Sequence, residues 1–231
     1  MSETIVSADL MDRLYRHQRH IYDLTRKYYL LGRDRLIARL RPTRGMHVLE
    51  IGSGTARNLV HAARAHPDID LFGIDISHEM LETARQAVVR EQLTAHIQLA
   101  RADATRFDPA LLFGVPGFSR IFISYSLSMI PGWRAVLDQA AACLLPDGEL
   151  HIVDFGRQER LPAWFKAALR RWLALFHVQP RDDLEVELAR LAARHGFTCA
   201  IERPYGGYAQ HAVLSMAPLP QEHWAGHWQR G

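Results

Sequence analysis

The stretch VLEIGSGTARNL, Val48 to Leu59, passes from an apolar run through two glycines into residues suited to a helix. Gly45 precedes that run, so Met46 to Ile51 reads as a strand, and Ala56 to Ala65 reads as a helix after a tight turn. Gly52 and Gly54 lack a Cβ, which lets the main chain turn sharply and lets a ligand touch the backbone. A dinucleotide-binding turn would carry a later glycine to open the helix N-terminus to a pyrophosphate. Arg57 stands there instead, and an acid, Glu50, sits two positions before Gly52. That arrangement suits a ligand with an amino group and a sulfonium better than one with two phosphates.

Outward from this turn, strand and helix patterns alternate. Ile69 to Ile76, His96 to Ala100, Arg120 to Tyr125 and Glu149 to Phe155 read as strands, with helices over Glu79 to Val89 and Trp133 to Leu145. Such alternation predicts a parallel sheet. Two helical patterns follow, Leu161 to Phe176 and Asp183 to His195, and then two strand-like runs, Thr198 to Glu202 and Tyr208 to Met216, which read as a hairpin. Residues 8 to 40 show helical spacing of Leu10, Leu14, Ile21, Leu24 and Tyr28 among charged residues. The expected architecture is α/β and Rossmann-like: a mostly parallel seven-stranded sheet, a C-terminal antiparallel hairpin and an N-terminal helical extension. Residues 1–44 would cap the active site, 45–218 form the domain, and 219–231 form a tail.

The 231 residues suffice for one such domain, and 48% hydrophobic with 23% charged residues is ordinary globular composition. The first twenty residues lack a basic-then-apolar leader pattern and no run approaches a membrane-spanning length, so a cytoplasmic protein is expected. Cys143 and Cys199 are too far apart for a redox motif and read as buried thiols. His17 and His20 have ligand-like spacing but no accompanying cluster, so no metal is expected. A formal charge of +3 is compatible with anionic partners without marking a nucleic-acid protein.

Glu50-Ile51-Gly52-Ser53-Gly54 resembles motif I of the class I S-adenosylmethionine-dependent methyltransferases, with Ala56 where the family usually has a third glycine. The resemblance implies that Glu50 faces the methionyl amino group while Gly52 and Gly54 pack on the cofactor. Asp75, closing the second strand in GIDIS, is placed where an acid accepts from both ribose hydroxyls. Ile76 and Met80 would flank the adenine, and Asp103, with Ala104 alongside, would accept from its amino group.

After the fourth strand comes Ser124-Tyr125-Ser126-Leu127, unlike the motif of methyltransferases acting on nucleobase amines, so no nucleic-acid partner is expected. This loop can bring Ser124 and Tyr125 near the transferable methyl, although Tyr125 can equally be a core residue. The segment Tyr15 to Ile37 is rich in aromatics and arginines, and its YD-TR and LLGRD pieces, with Tyr205-Gly206-Gly207-Tyr208-Ala209, are similar to the bacterial betaine-lipid N-methyltransferases. Those convert diacylglyceryl-homoserine to its trimethylated form, so the resemblance implies a lipid-headgroup substrate and, as a partner, the enzyme that makes the homoserine lipid.

Such a headgroup has a carboxylate that wants a cation and an amine that becomes quaternary, which suits an arginine fork and aromatic faces. Arg26 is the candidate for a carboxylate of substrate or cofactor; Tyr22, Tyr28, Tyr29, Tyr125, Tyr205 and Tyr208 are candidates for the cage. Tyr22, His20 and Asp154 are candidate proton acceptors. Trp164, Phe165, Ala168, Trp172, Leu175 and Phe176 can form an apolar stripe beside Lys166, Arg170 and Arg171, either attaching the chain to the inner face of a membrane or packing on the sheet. Two other readings stay open: a methyltransferase for a soluble amine or RNA, and an inactive module that binds S-adenosylmethionine.

Overall fold

The structure, a computed structural model, describes residues 30–216. Its centre is strand β1 (His47–Ile51), whose side chains alternate across the sheet as the pleat demands. Val48 enters one apolar core and Leu49 and Ile51 enter the other. Around β1 the chain lays down α1 (Arg33–Arg39), α2 (Arg57–Ala65), β2 (Asp70–Asp75), α3 (His78–Arg90), β3 (Ile97–Arg101), α4 (Pro109–Phe113) and β4 (Phe118–Ser124). It continues with α5 (Trp133–Ala142), β5 (Leu144–Phe155), α6 (Ala163–Ala174), α7 (Leu184–His195), β6 (Thr198–Glu202), the short α8 (Pro204–Gly207) and β7 (Ala209–Ser215).

The seven strands are ordered β3-β2-β1-β4-β5-β7-β6. All pairs up to β5 are parallel, and β7 runs antiparallel to both β5 and β6. The last two strands therefore pair as the sequence pattern implies. The order reverses between β1 and β4, so the carboxyl ends of these two strands face a crevice where open α/β sheets take their ligands.

Helices cover both faces. Leu36, Ile37 and Leu40 of α1, Leu59, Val60 and Ala63 of α2, and Ala84 and Val88 of α3 pack with Val48, Leu71, Phe122 and Val153. On the other face, Trp133, Val136, Leu137 and Ala140 of α5 and Leu184, Leu188 and Leu191 of α7 meet Leu49, Phe72, Ile121, Ile123 and Ile152. Ser77 caps α3 by accepting from the Met80 amide at 3.2 Å, and Asp108 caps α4 through the amides of Ala110 and Leu111.

Four boundaries differ from the sequence expectation. The helix expected across residues 8 to 40 is not continuous in its described part: Gly32 sits at φ 88°, ψ −2°, so a turn at Leu31–Gly32 precedes α1. Helix α4 has no counterpart in the periodicity, being too short to show one. Helix α5 ends at Ala142 rather than Leu145. Strand β5 starts at Leu144, and its register with β4 shifts between Phe118/Leu144 and Arg120/Glu149, so the turn residues Pro146-Asp147-Gly148 bulge out within the strand. Cys143 is buried, whereas Cys199 is only partly covered.

Helix α1 lies against a polar patch of the sheet. Arg39 pairs with Glu202 at 2.9 Å and Arg35 with the same carboxylate at 3.2 Å; Arg120 pairs with Glu149 at 3.2 Å, and Glu149 with His151 at 2.8 Å. His211 is buried in this group, and a Cβ built on Gly32 would come within 2.5 Å of its Nε2. Burial, with the charges of Arg39 and Arg35 nearby, pushes the His211 pKa down from 6.5 to about 3. Folded and unfolded chains both keep this imidazole neutral above pH 6.5. As pH falls from 6.5 toward 3, only the unfolded chain takes up the proton, so stability is lost across that window. We expect His211→Gln to remove this dependence. In urea titrations at pH 7 and pH 5, the wild type should lose roughly 2 kcal/mol more than the variant, and equal losses would rule the account out.

Candidate active site

The turn between β1 and α2 is built from left-handed residues: Gly52 has φ 74°, Gly54 φ 52° and Ala56 φ 59°. The Gly52 and Ser53 amides donate to the Ile74 carbonyl at 2.9 and 3.0 Å, which ties the turn to the end of β2. A side chain at Gly52 would bring its Cβ within 2.5 Å of the Ser126 Cβ in the loop after β4. Glycine is thus required here both for the backbone angle and for the close approach of two loops.

Strand alternation puts Glu50 on the same face as Val48, beneath α2. There its carboxylate is 1% exposed and its Oε1 accepts from Asn58 Nδ2 at 2.7 Å. Asp75 closes β2; its Oδ2 accepts from the Gly54 amide at 2.8 Å and its Oδ1 from the Ser77 amide at 2.9 Å. These two backbone bonds fix the Asp75 carboxylate at the end of β2. Asp103, just past β3, holds Thr105 through its amide at 2.9 Å and hydroxyl at 2.7 Å. The Ala102 amide donates to the Asp75 carbonyl at 3.1 Å, which sets Asp103 beside the end of β2.

A cleft of about 700 Å³ opens over this turn. Glu50, Gly52, Gly54 and Ser124 line it together with Arg33, Ser53 and Asn58. Ser53 Oγ, Asn58 Oδ1 and Ser124 Oγ are buried with no hydrogen-bond partner among the described residues. Buried polar atoms cost free energy unless paired, so this constellation fits a polar ligand with donors. Asp75, Ile76, Met80, Asp103 and Ala104 are not among the lining residues of this cleft, which runs instead between α2 and α3 past Arg64 and Gln86. Met80 is buried on α3 as part of the protein interior. Arg33, Ser53 and Asn58 were not singled out by the motif; their neighbours in sequence carry no signal that they converge.

The acceptor-side candidates divide. Tyr125 is 2% exposed, its hydroxyl donates to the Leu31 carbonyl at 2.6 Å, and burial pushes its pKa well above the usual tyrosine value. Its ring meets Phe155 edge-on at 4.7 Å, and Phe155 meets Tyr208 at 5.9 Å. Tyr208 is buried too, its pKa pushed up to about 12 by that burial. Both rings thus pack in the core in this structure, so of the two roles open to Tyr125 it takes the core one here, and Tyr208 is not an open cage wall. Tyr205 is different: it is left-handed at φ 56° and 43% exposed. The turn carrying it is tied to the end of β5, since the Gly156 amide donates to Tyr208 O at 2.8 Å and the Gln158 amide to Gly207 O at 2.9 Å.

Asp154 is fully buried, with Oδ2 accepting from the Ser128 amide at 3.1 Å and Oδ1 from its own neighbour Phe155 at 2.7 Å. Burial raises its pKa to about 6 even against those bonds. A carboxylate closed off by protein on all sides cannot collect a substrate proton, so the expectation that Asp154 is an acceptor is set aside. It fastens the loop after β4 instead, together with Arg181, which donates to the carbonyls of Leu127 and Ile130 at 3.0 and 2.9 Å. His17, His20, Tyr22, Arg26, Tyr28 and Tyr29 lie outside the described residues.

Residues 48–148 match the family described as a methyltransferase domain. An O-methyltransferase of Pyrenophora dematioidea is 29% identical over 70% of this chain and 58% of its own length. A phosphatidylethanolamine N-methyltransferase of Cereibacter sphaeroides is 31% identical over 58% of this chain and 61% of its own. The chain thus spans about six-tenths of the length of these curated relatives. Among solved structures, the S-adenosylmethionine-dependent methyltransferase SibL in its apo form superposes with a TM-score of 0.64 at 21% identity, covering 86% of this chain and 57% of that one. The strand order, the turn after β1 and the acids near the ends of β1, β2 and β3 agree with these likenesses: residues 48–148 are similar to a methyltransferase domain, and the chain has the Rossmann-like fold of the methyltransferases.

Proposed function

We propose that this chain transfers methyl groups to the amine of a lipid headgroup, with diacylglyceryl-homoserine as the substrate and its trimethylated betaine as the product. The observation that carries the reading is the amphipathic helix α6, which follows β5 and leaves Trp164 and Leu175 exposed, together with the exposed Tyr205 on the turn tied to the end of β5. The likeness to a lipid-amine N-methyltransferase supports it.

Bound S-adenosylmethionine supplies a sulfonium-activated methyl group. The chain's part is to hold, align and dry the site. In this reading Glu50 accepts from the methionyl amine, the backbone of Gly52 and Gly54 lies against the cofactor, and Asp75 accepts from the ribose hydroxyls. Asp103 serves the adenine amino group, with Ile76, Met80 and Ala104 as apolar neighbours, and Ser124 sits at the reacting end. Tyr205 offers an aromatic face to the nitrogen as it becomes quaternary. Arg26 keeps its proposed place on a carboxylate of cofactor or substrate, and Tyr22 and Tyr29 keep theirs on the substrate side. Each transfer needs a neutral amine lone pair, so taking the ammonium headgroup to its trimethylated form releases three protons, one before each attack, and solvent water can take them without the buried Asp154. The N-terminal residues 1–44 act as the cap in this scheme.

The apolar stripe expected along Leu161 to Val178 splits in two. Phe165, Leu169, Trp172 and Phe176 pack partly against the core that holds Tyr125, Phe155 and Tyr208, whereas Trp164 and Leu175 are 73% and 66% exposed. Arg171 is exposed beside them, while Arg170 is engaged with Asp182 at 2.5 and 2.9 Å. One helix thus faces the core with one side and presents tryptophan, leucine and positive charge with the other, as an interfacial helix does. No helix among the described residues is long and apolar enough to cross a membrane. We place the working enzyme at the cytoplasmic membrane surface, within reach of the enzyme that makes the homoserine lipid, and without a nucleic-acid partner.

Incubation with methyl-labelled S-adenosylmethionine and a homoserine-lipid extract should move label into the organic phase as mono-, di- and trimethylated species. Label appearing only on added phenols or soluble amines would transfer the assignment to the O-methyltransferase or soluble-amine readings. The purified chain should sediment with anionic vesicles at low salt and be released by high salt, and Trp164→Ala with Leu175→Ala should lower the bound fraction several-fold. Equal binding to neutral vesicles, or none to either, would remove α6 from the membrane.

A further inference from the structure

Tyr205, Gly206 and Gly207 are left-handed in succession, at φ 56°, 66° and 82°. Such a run does not hold its shape by local preference, least of all at a tyrosine, so its surroundings must fix it. The segment after β5 does so. The Gln158 amide donates to the Gly207 carbonyl at 2.9 Å and the Arg160 amide to the Gly206 carbonyl at 3.1 Å. A Cβ on Gly156 would run into the Gly207 carbonyl, and one on Gly207 would run into the Glu159 carboxylate, so the two segments are pressed together.

Gln158 is the centre of this contact. It is itself left-handed at φ 54° and is fully buried. Its side-chain amide has only one workable orientation. Arg170 Nε can only donate and meets Oε1 at 3.1 Å, while the Gly156 carbonyl can only accept and meets Nε2. Arg170 belongs to α6, and its other two nitrogens hold both oxygens of Asp182 at 2.9 and 2.5 Å. One glutamine thus reaches α6 through its side chain and the Tyr205 turn through its main chain. Packing alone would favour an apolar side chain here, and the backbone angle alone would favour glycine. What glutamine supplies and they do not is the bridge.

We propose that Gln158 is a positioning residue for methyl transfer: it ties the seating of α6 to the place of the Tyr205 ring, so that the chain can carry an amine through to the quaternary state. This rests on the reading of Tyr205 as the aromatic face for the methylated nitrogen. In the last transfer the lone pair of the dimethylated amine forms the new N–CH₃ bond as the S–CH₃ bond breaks, and the sulfur keeps the electron pair. The cation so formed has no N–H to donate to an acceptor, so an aromatic face matters more here than in the earlier transfers. A Tyr205 turn released from Gln158 therefore slows the third transfer more than the first.

Hydrogen exchange and product analysis on the full chain test the bridge and its consequence separately. Gln158→Gly keeps the left-handed angle and the main-chain amide but removes the bridge, and Arg170→Met removes its other end. Either variant should speed exchange of the Arg160 and Tyr208 amides about ten-fold, the effect of losing one hydrogen bond, while amides of β1 and α2 stay within about two-fold. The double variant should exchange no faster than the quicker single one, because both break the same bridge. Gln158→Asn, a residue tolerant of this angle, should fall between wild type and Gln158→Gly and serves if the glycine variant does not fold. With homoserine lipid and S-adenosylmethionine, both bridge variants and Tyr205→Ala should raise the ratio of dimethylated to trimethylated product about five-fold. Exchange raised equally across the sheet, or unchanged at both amides, would make Gln158 a packing residue only. Stalling by Tyr205→Ala but by neither bridge variant would remove Gln158 from the reaction. A Tyr205→Ala chain with the wild-type product ratio, or a wild type that methylates no lipid, would overturn the reading of Tyr205 and the catalytic half of the proposal, while the exchange rates still decide the bridge.

Discussion

Burying an ionised carboxylate costs several kcal/mol unless hydrogen bonds replace its water, and β1 ends in such a group. Glu50 can sit beneath α2 because Asn58, in the first turn of that helix, donates to it at 2.7 Å. That bond in turn requires α2 to start where it does, which requires the chain to reverse within Gly52-Ser53-Gly54-Thr55 through left-handed angles. The same turn must pass close enough to the loop after β4 that only glycine fits at position 52. The carboxylate, the turn and the neighbouring loop are therefore one constraint. A change in any of them disturbs the other two.

The loop after β4 is held from its other side. Asp154, Arg181 and Gln210 are spread over the chain, yet all three bond to the backbone around it or beside it: Asp154 to the Ser128 amide, Arg181 to Leu127 and Ile130, and Gln210 to Phe155 and Arg181 carbonyls. Such polar knots satisfy backbone groups that a loop leaves unpaired. They hold Ser124 and Tyr125 rigidly at the end of β4, and Tyr125 passes that rigidity on to Leu31 and so to the start of α1. The start of α1 is therefore anchored to the end of β4.

Helix α6 shows how one amphipathic pattern can serve two surfaces. Its inward aromatics close the core beside Phe155 and Tyr208, and its outward Trp164 and Leu175 remain in solvent, where large apolar side chains gain nothing unless something covers them. A helix devoted only to packing would carry polar residues there.

Sequence alone determined the layered α/β fold and the site's first landmarks, because both follow from local rules. Period-two apolar runs, helical spacing and glycine turns are written along the chain, and Glu50, Asp75 and Asp103 lie within two residues of the carboxyl ends of β1, β2 and β3, the side where such sheets bind ligands. The boundaries that sequence misplaced are those without local periodicity: the one-turn helix α4, the bulge in β5 and the break at Gly32. Only the tertiary structure decided which aromatic and charged residues are available for chemistry. Tyr125, Tyr208 and Asp154 are of the right type but are buried by residues far away in sequence, whereas Tyr205 is left open on a left-handed turn. Arg33 and Asn58 line one cleft with Glu50 only because α1 and α2 pack on the same face of β1. Burial and convergence are properties of contacts between distant segments, and the order of residues along the chain does not specify them position by position.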